Sequence, residues 1–296
     1  MRATPLYLAV FALALVALAG SVNADDANKA AIKAQYTFFN PTPKRLMRDM
    51  TTDRPDITES PFTIDAGHVQ TETQVFSYAR SRPGEDGAVS DVYEVGTTNV
   101  RIGLTNFAEV ALVWQPYGAV ETRSPIPGRS FTSDGVGTLE IRGKINFWGN
   151  DTFEKPGATA AALLPFIDVP TDPGNGISVD DVEGGFIVPL AIKLSEKLEL
   201  GLNAGAAIVK NEDASGYRTE FLGSAAFGYE WTDKLGTYYE VAVELGTEDP
   251  RGDIVLLGTG LTYAVDDDTQ LDAGINVGVT RASDRINPFV GVSRRF

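Results

Sequence analysis

The chain carries one histidine, His68, and no cysteine. A serine or thiol nucleophile needs a histidine beside it and a third group to orient that histidine. His68 shares the alternation of Gln70 and Glu72, away from any apolar face where a lipid hydrolase would need its site. Zinc draws on several His and Cys ligands, so no metal, cofactor or enzymatic activity is expected. Gly135-Val136-Gly137 and Gly258-Thr259-Gly260 read as parts of alternating strands with no helix to follow, which excludes phosphate loops. The richer chemistry lies in charges that recur every second residue. Glu140, Arg142 and Lys144 are spaced in this way, and Glu240 and Glu244 share one parity. Side chains at that spacing stack along one face of a strand. Their mixed signs point to an ion-pair network across an enclosed space rather than a filter for one sign of charge.

Strands must position these charges. From Thr138 to Phe147, Leu139, Ile141, Ile145 and Phe147 alternate with Thr138, Glu140, Arg142, Lys144 and Asn146. The same period of two runs through Thr237–Leu245 and Gln270–Thr280, and it identifies strands. Globular sheets favour strands of about five or six residues, whereas tilted membrane strands need about 9–11; many segments here reach the longer class. No apolar run after residue 24 is long enough to cross a bilayer as a helix. The fold expected is all-β, an antiparallel transmembrane barrel of about 12 strands over residues 68–296. Parity then directs Arg101, Glu109, Glu140, Arg142, Lys144, Glu220, Tyr238, Glu240, Glu244, Asp272 and Asn276 into the lumen, because Arg or Lys facing mid-bilayer lipid costs about 2–4 kcal/mol.

Connections alternate in length. Longer ones rich in Pro, Gly and Asp are read near 81–90, 121–134, 170–180, 211–216, 247–252 and 282–286. Turns are read near 105–107, 195–197, 232–234 and 266–268, with a longer one at 148–156. Long extracellular loops and short periplasmic turns belong to outer-membrane barrels with an even strand number. Tyr93, Phe107, Trp114, Phe147, Trp148, Phe153, Tyr229, Trp231 and Phe296 gather near strand ends, as interface girdles do. The acidic clusters Asp168 and Asp172, Asp180-Asp181, Glu212-Asp213, Glu248-Asp249 and Asp266-Asp267-Asp268 match no EF-hand spacing and read as solvated loop charge.

Residues 1–24 have the form of a secretory signal peptide: Arg2, an apolar run over Leu6–Ala19, then Val22-Asn23-Ala24 as the cut site, with Ala19 as an alternative. Cleavage after Ala24 removes one base and lowers the net charge from −15 to −16, which opposes binding to nucleic acid. Residues 25–67 form a segment that hangs in the periplasm or plugs the lumen. Asp26–Gln35 has helical composition, and Thr42 before Pro43 resembles a cap opening a turn or two through Met50. Asp53, Arg54 and Asp56 are expected near the periplasmic mouth, paired with strand charges. Pro55 and Pro61 keep this stretch out of a regular ladder.

Thr52-Asp53-Arg54-Pro55-Asp56-Ile57-Thr58-Glu59-Ser60-Pro61, followed by Ala66-Gly67-His68-Val69-Gln70-Thr71-Glu72, resembles the opening of the outer-membrane transporter family linked to the meta-pathway of phenol degradation. Pro170-Thr171 and Asp272-Ala273-Gly274 are similar as well. The terminal Phe296 resembles the signal that recruits barrel-assembly machinery, with Val290 and Val292 on its face and Arg294 where an apolar residue is usual. The family resemblance implies a barrel in the bacterial outer membrane, among lipid and lipopolysaccharide, that admits small and often hydrophobic organic solutes. A closed structural or adhesive barrel that binds a partner through loops or the N-terminal segment is the alternative.

Overall fold

The computed structural model describes residues 31–211, 215–247 and 252–296. The expected signal peptide and residues 26–30 of the helical stretch at 26–35 lie outside the described residues, and residues 31–33 form a helical turn. The wall consists of β1 (Val69–Arg80), β2 (Val89–Thr105), β3 (Ala108–Trp114), β4 (Tyr117–Arg123), β5 (Phe131–Gly135), β6 (Leu139–Trp148) and β7 (Thr159–Val169). It continues as β8 (Glu183–Lys193), β9 (Leu198–Lys210), β10 (Tyr217–Glu230), β11 (Leu235–Leu245), β12 (Ile254–Asp266), β13 (Thr269–Gly278) and β14 (Asn287–Arg295). Every pairing is antiparallel, and β1 meets β14 from Gln70↔Arg295 to Ser77↔Phe289, which closes the barrel.

Fourteen strand segments make twelve wall strands. β3 and β4 both pair with β2, on its lower and upper halves, and are separated only by Gln115-Pro116. Proline has no N–H for the ladder, so the strand breaks there. Its neighbour breaks opposite: β5 stops at Gly135 and β6 starts at Leu139. The alternation expected to run unbroken through Gly135-Val136-Gly137 is therefore interrupted, and the Gly137 amide donates to the Gln115 carbonyl at 2.8 Å across the gap. The connection expected at 121–134 shortens to 124–130 for the same reason, because β4 and β5 continue the wall above the break.

The barrel is inside out relative to a soluble protein. Arg101, Lys144, Gln70 and Glu72 are among its most deeply buried side chains, while Leu112, Ile145, Phe186, Phe221, Val241, Leu257 and Val290 are exposed. Along β6 the two sets alternate, Lys144 at 2% and Ile145 at 43% exposure. Water would leave no reason for such a surface; lipid requires it. Ten residues of β6, tilted as barrel strands are, rise about 25 Å, the height of an outer-membrane apolar band. Phe107, Trp114, Phe147, Trp231 and Phe296 are exposed at strand ends, as a girdle needs. Phe153 departs from that set: its ring turns inward and packs edge-on against Phe62 at 5.0 Å. The protein is an outer-membrane barrel. One end carries the short turns at 106–107 and 267–268 together with the start of β1 and the end of β14, and short turns mark the periplasmic end of an outer-membrane barrel.

Candidate functional site

Residues 48–67 enter the lumen from the periplasmic mouth and return to it. At the return, the Gly67 amide donates to the Gly103 carbonyl at 2.8 Å, and the Thr42 amide donates to Ala66 at 2.9 Å. Between Thr42 and Met50 the chain forms only one 3₁₀ turn, Lys44–Leu46, with Pro43 at its N-cap and the Thr42 hydroxyl without a hydrogen-bond partner; the turn or two expected through Met50 shortens accordingly. The Thr42 carbonyl instead lies 2.7 Å from Nε2 of His68, whose Nδ1 lies 3.0 Å from the Phe296 oxygen. The single histidine thus ties the segment to the rim.

Pro55 and Pro61 deny this stretch a ladder of its own, so its buried amides need other acceptors. Wall carboxylates supply them. Asp53 and Arg54 amides donate to Glu72 at 2.9 and 3.2 Å. The Ile57 amide donates to Glu240 at 3.0 Å, and the Ile64 amide to Glu109 at 2.6 Å. Lumen carboxylates therefore do two jobs, pairing with cations and capping the backbone of the inserted segment.

The central anchor is Asp53. Both its oxygens accept from Lys144 Nζ, at 2.7 and 2.8 Å, and Arg101 stands 3.2 Å away. Arg101 also holds Glu72 at 2.8 Å and Glu109 at 2.9 Å, and it donates to the Phe62 carbonyl at 2.8 Å. Each of these charges has a partner, as burial demands. Arg54 reaches along the adjoining wall of β1, β14 and β13, with Asp272 at 2.8 Å, Gln74 at 3.2 Å and the Phe289 ring 5.7 Å beneath. Gly291 permits that approach, since a Cβ there would collide with the guanidinium. Glu59 binds Arg142 at 2.6 Å, and Arg142 also pairs with Glu140.

A second cluster seals the rim. Lys33 bridges Asp65 and Asp151, both at 2.7 Å, while Arg48 meets them at 3.3 and 3.0 Å. Burial alone would raise the Asp151 carboxyl, but Arg48, Lys33 and Asn106 hold it below the ordinary aspartate value.

The segment leaves one side of the lumen unfilled. A cavity of about 250 Å³ separates its tip from β9, β10 and β11, with Pro55, Asp56, Gly201, Ala226, Gly228 and Tyr238 in its lining. A second cavity of about 540 Å³ lies at the mouth between residues 45–51 and Phe153. The two share Phe62, Glu199 and Glu230.

Of the residues assigned to the lumen from parity, Arg101, Glu109, Lys144, Glu220, Tyr238, Glu240, Asp272 and Asn276 are buried. Glu140, Arg142 and Glu244 are half-buried. The structure brings Arg101, Glu109 and Lys144 together around Asp53, and sets Glu140 against Arg142. Glu220 instead takes Arg218 at 2.6 Å. Asp53 and Arg54 pair with strand charges, but inside the lumen rather than at the mouth. Asp56 makes no ion pair among the described residues. Glu59 and Glu72 went unread as site residues, although Glu72 carried the inward parity of Gln70.

The family described as "Putative MetA-pathway of phenol degradation" matches residues 52–296, which take in the inserted segment from Thr52 onward and the whole barrel. The chain belongs to this family. No curated protein matches the chain. Among solved structures it is similar to the NanC porin, at 10% identity over 76% of this chain and 98% of that one, with a TM-score of 0.48. The translocator domain of the autotransporter NalP from Neisseria meningitidis is 13% identical over 77% of this chain and 88% of its own, with a TM-score of 0.46. The CymD monoaromatic hydrocarbon channel is 8% identical over 77% and 87%, with a TM-score of 0.38. The family match begins at Thr52, one residue before Asp53, so the anchor and its wall partners fall together within it.

Proposed function

We propose that this family member is a porin-like channel that admits small organic solutes across the outer membrane, past a constriction made by its own residues 48–67. One observation carries the reading: the inserted segment is bound by ion pairs to the β1–β6 and β13 side, touches β10 and β11 only through hydrogen bonds of Ile57 and Thr58, and leaves a cavity of about 250 Å³ beside those contacts. Solute entering from outside would pass the Gly- and Ala-lined face of β8–β10, reach the 250 Å³ cavity, and leave by the larger cavity at the mouth. This reading assigns passage rather than catalysis, and it is supported by the sole histidine, both of whose nitrogens face oxygen atoms of Thr42 and Phe296. Outer-membrane lipid and lipopolysaccharide surround it, and the β14 terminus with Phe296 is the part offered to the assembly machinery.

The second reading, a closed structural or adhesive barrel, draws on the density of the same ion pairs. Single-channel conductance separates the two. The folded protein in a planar bilayer gives small discrete steps, and deletion of residues 25–67 enlarges them. Silence from both proteins, each shown folded by its heat-dependent gel mobility, removes the channel reading.

A further inference from the structure

The chain leading into the inserted segment does not stay inside the barrel mouth. Lys33 and Arg48 both sit within it, on Asp65 and Asp151. Between them, Thr37-Phe38-Phe39-Asn40 closes a tight turn. The Thr37 amide donates to the Asn40 carbonyl at 3.0 Å and the Asn40 amide to Thr37 at 2.9 Å, which leaves the two phenylalanines at the tip. Thr37 also bridges Thr105, and the Phe38 amide donates to the Leu104 carbonyl at 2.8 Å. Phe38 therefore stands opposite Leu104, on the edge of β2 just below the start of β1. Opposed residues of a ladder project from the same face. Here that face is the lipid side. Gly103 turns inward, since a Cβ there would collide with the Asp65 carbonyl, and Leu104, next along the strand, is exposed on the other side.

The turn itself has no need of two aromatic rings, because tight turns favour Gly, Asn, Asp, Ser and Pro. Phe38 and Phe39 nonetheless pack edge-on at 5.1 Å, and Phe39 is 92% exposed. Phe107, exposed in the turn after β2, continues the apolar surface of Leu104 toward them. Residues 34–43 contain no charged side chain, whereas Lys33 and Lys44 stand at the two ends of that run. We propose that the Phe38–Phe39 turn is a lipid anchor, seated among the phospholipids of the periplasmic leaflet, and that it clasps the chain over the barrel wall between its two contacts in the mouth. Lipid is the partner because the turn extends the lipid-facing surface of β2 without a charged group between them, at the level where barrels place their aromatic girdles. The segment in the lumen is thus held from both sides of the wall, by ion pairs within and by lipid without.

The chain has no cysteine, so a single nitroxide label reports the position of the turn. The folded full chain is placed one barrel to a nanodisc of phosphatidylethanolamine and phosphatidylglycerol. A label at Phe39→Cys should be open to oxygen and closed to a water-soluble nickel chelate. Phe107→Cys gives the lipid standard, and Glu196→Cys, exposed in the turn between β8 and β9 at the same end, gives the water standard. Nickel access equal to that at Glu196→Cys overturns the anchor. A label shielded from both probes places protein over the turn and overturns lipid as its partner. A second label, at Asn40→Cys, reads the clasp. It should be immobile in the parent and should lose that immobility when Phe38→Ser and Phe39→Ser are combined. Serine suits a turn, so the variant removes the lipid contact and spares the backbone, and heat-dependent gel mobility shows the barrel intact. An Asn40→Cys label equally immobile with and without the two phenylalanines overturns the clasp.

Discussion

Asp53 stands between Lys144 and Arg101, and neither cation has another route to water. Breaking such a pair costs about 3–5 kcal/mol, because the remaining charge stays buried and unpaired. Asp53→Ala should therefore lower stability by that order in reversible urea unfolding into lipid vesicles. Adding Lys144→Met should recover part of the loss, with a coupling above about 1 kcal/mol; additive losses would show that the pair does not act as a unit. A pH response follows from Asp151, whose carboxyl is held below its ordinary value by Arg48, Lys33 and Asn106 against the opposing effect of burial. A depressed folded-state pKa contributes stability that is complete above the ordinary aspartate range and is lost as pH falls through the folded value. A nitroxide at an exposed Asp49→Cys should stay immobile from neutral pH down to that range and loosen only below it. Mobilisation already near neutrality would assign the rim contact to other groups. The sequence showed which residues turn inward, since an alternating charge has only one tolerable face. It did not show that Asp53 would bind Lys144, 91 positions away, because no local pattern specifies a partner at that range.

At the scale of elements, alternation was enough to place most of the strands and their parity. The breaks between β3 and β4 and between β5 and β6 were harder. Pro116 was visible, but a proline in a strand reads equally as an edge, a bulge or an end. Only the pairing of β2 with both halves decides that one strand was bent rather than two formed. The bend has a physical use: below it the outer face is apolar for lipid, while above it Asp91, Arg123 and Glu121 form ion pairs. A matched pair of substitutions tests this division. Ile145→Lys puts an ammonium on the lipid face near mid-height and should cost about 2–4 kcal/mol, whereas Ala119→Lys on β4 should cost about 0–1 kcal/mol. Equal penalties in vesicle unfolding would place β4 inside the bilayer.

For the whole molecule, the question is whether the inserted segment moves when solute passes. Its anchors lie on β1, β2, β3, β6, β10, β11 and β13, so displacement requires breaking bonds around most of the circumference at once. Breaking the Asp53 anchor alone costs about 3–5 kcal/mol, and simultaneous loss of the others would expose further buried charges whose partners stay on the wall. A fixed constriction with a side passage avoids that cost. The chain contains no cysteine, which permits a clean staple. A Cβ at Gly201 would lie 4.0 Å from the Thr58 Cβ, within the range a disulfide spans. Thr58→Cys with Gly201→Cys should therefore join the segment to β9 on oxidation. If the segment is fixed, oxidised and reduced forms conduct alike, and conductance falls only when Gly228→Leu narrows the passage beside it. If oxidation alone abolishes conductance, solute moves by displacing the segment, and the passage along β9–β11 is not the route.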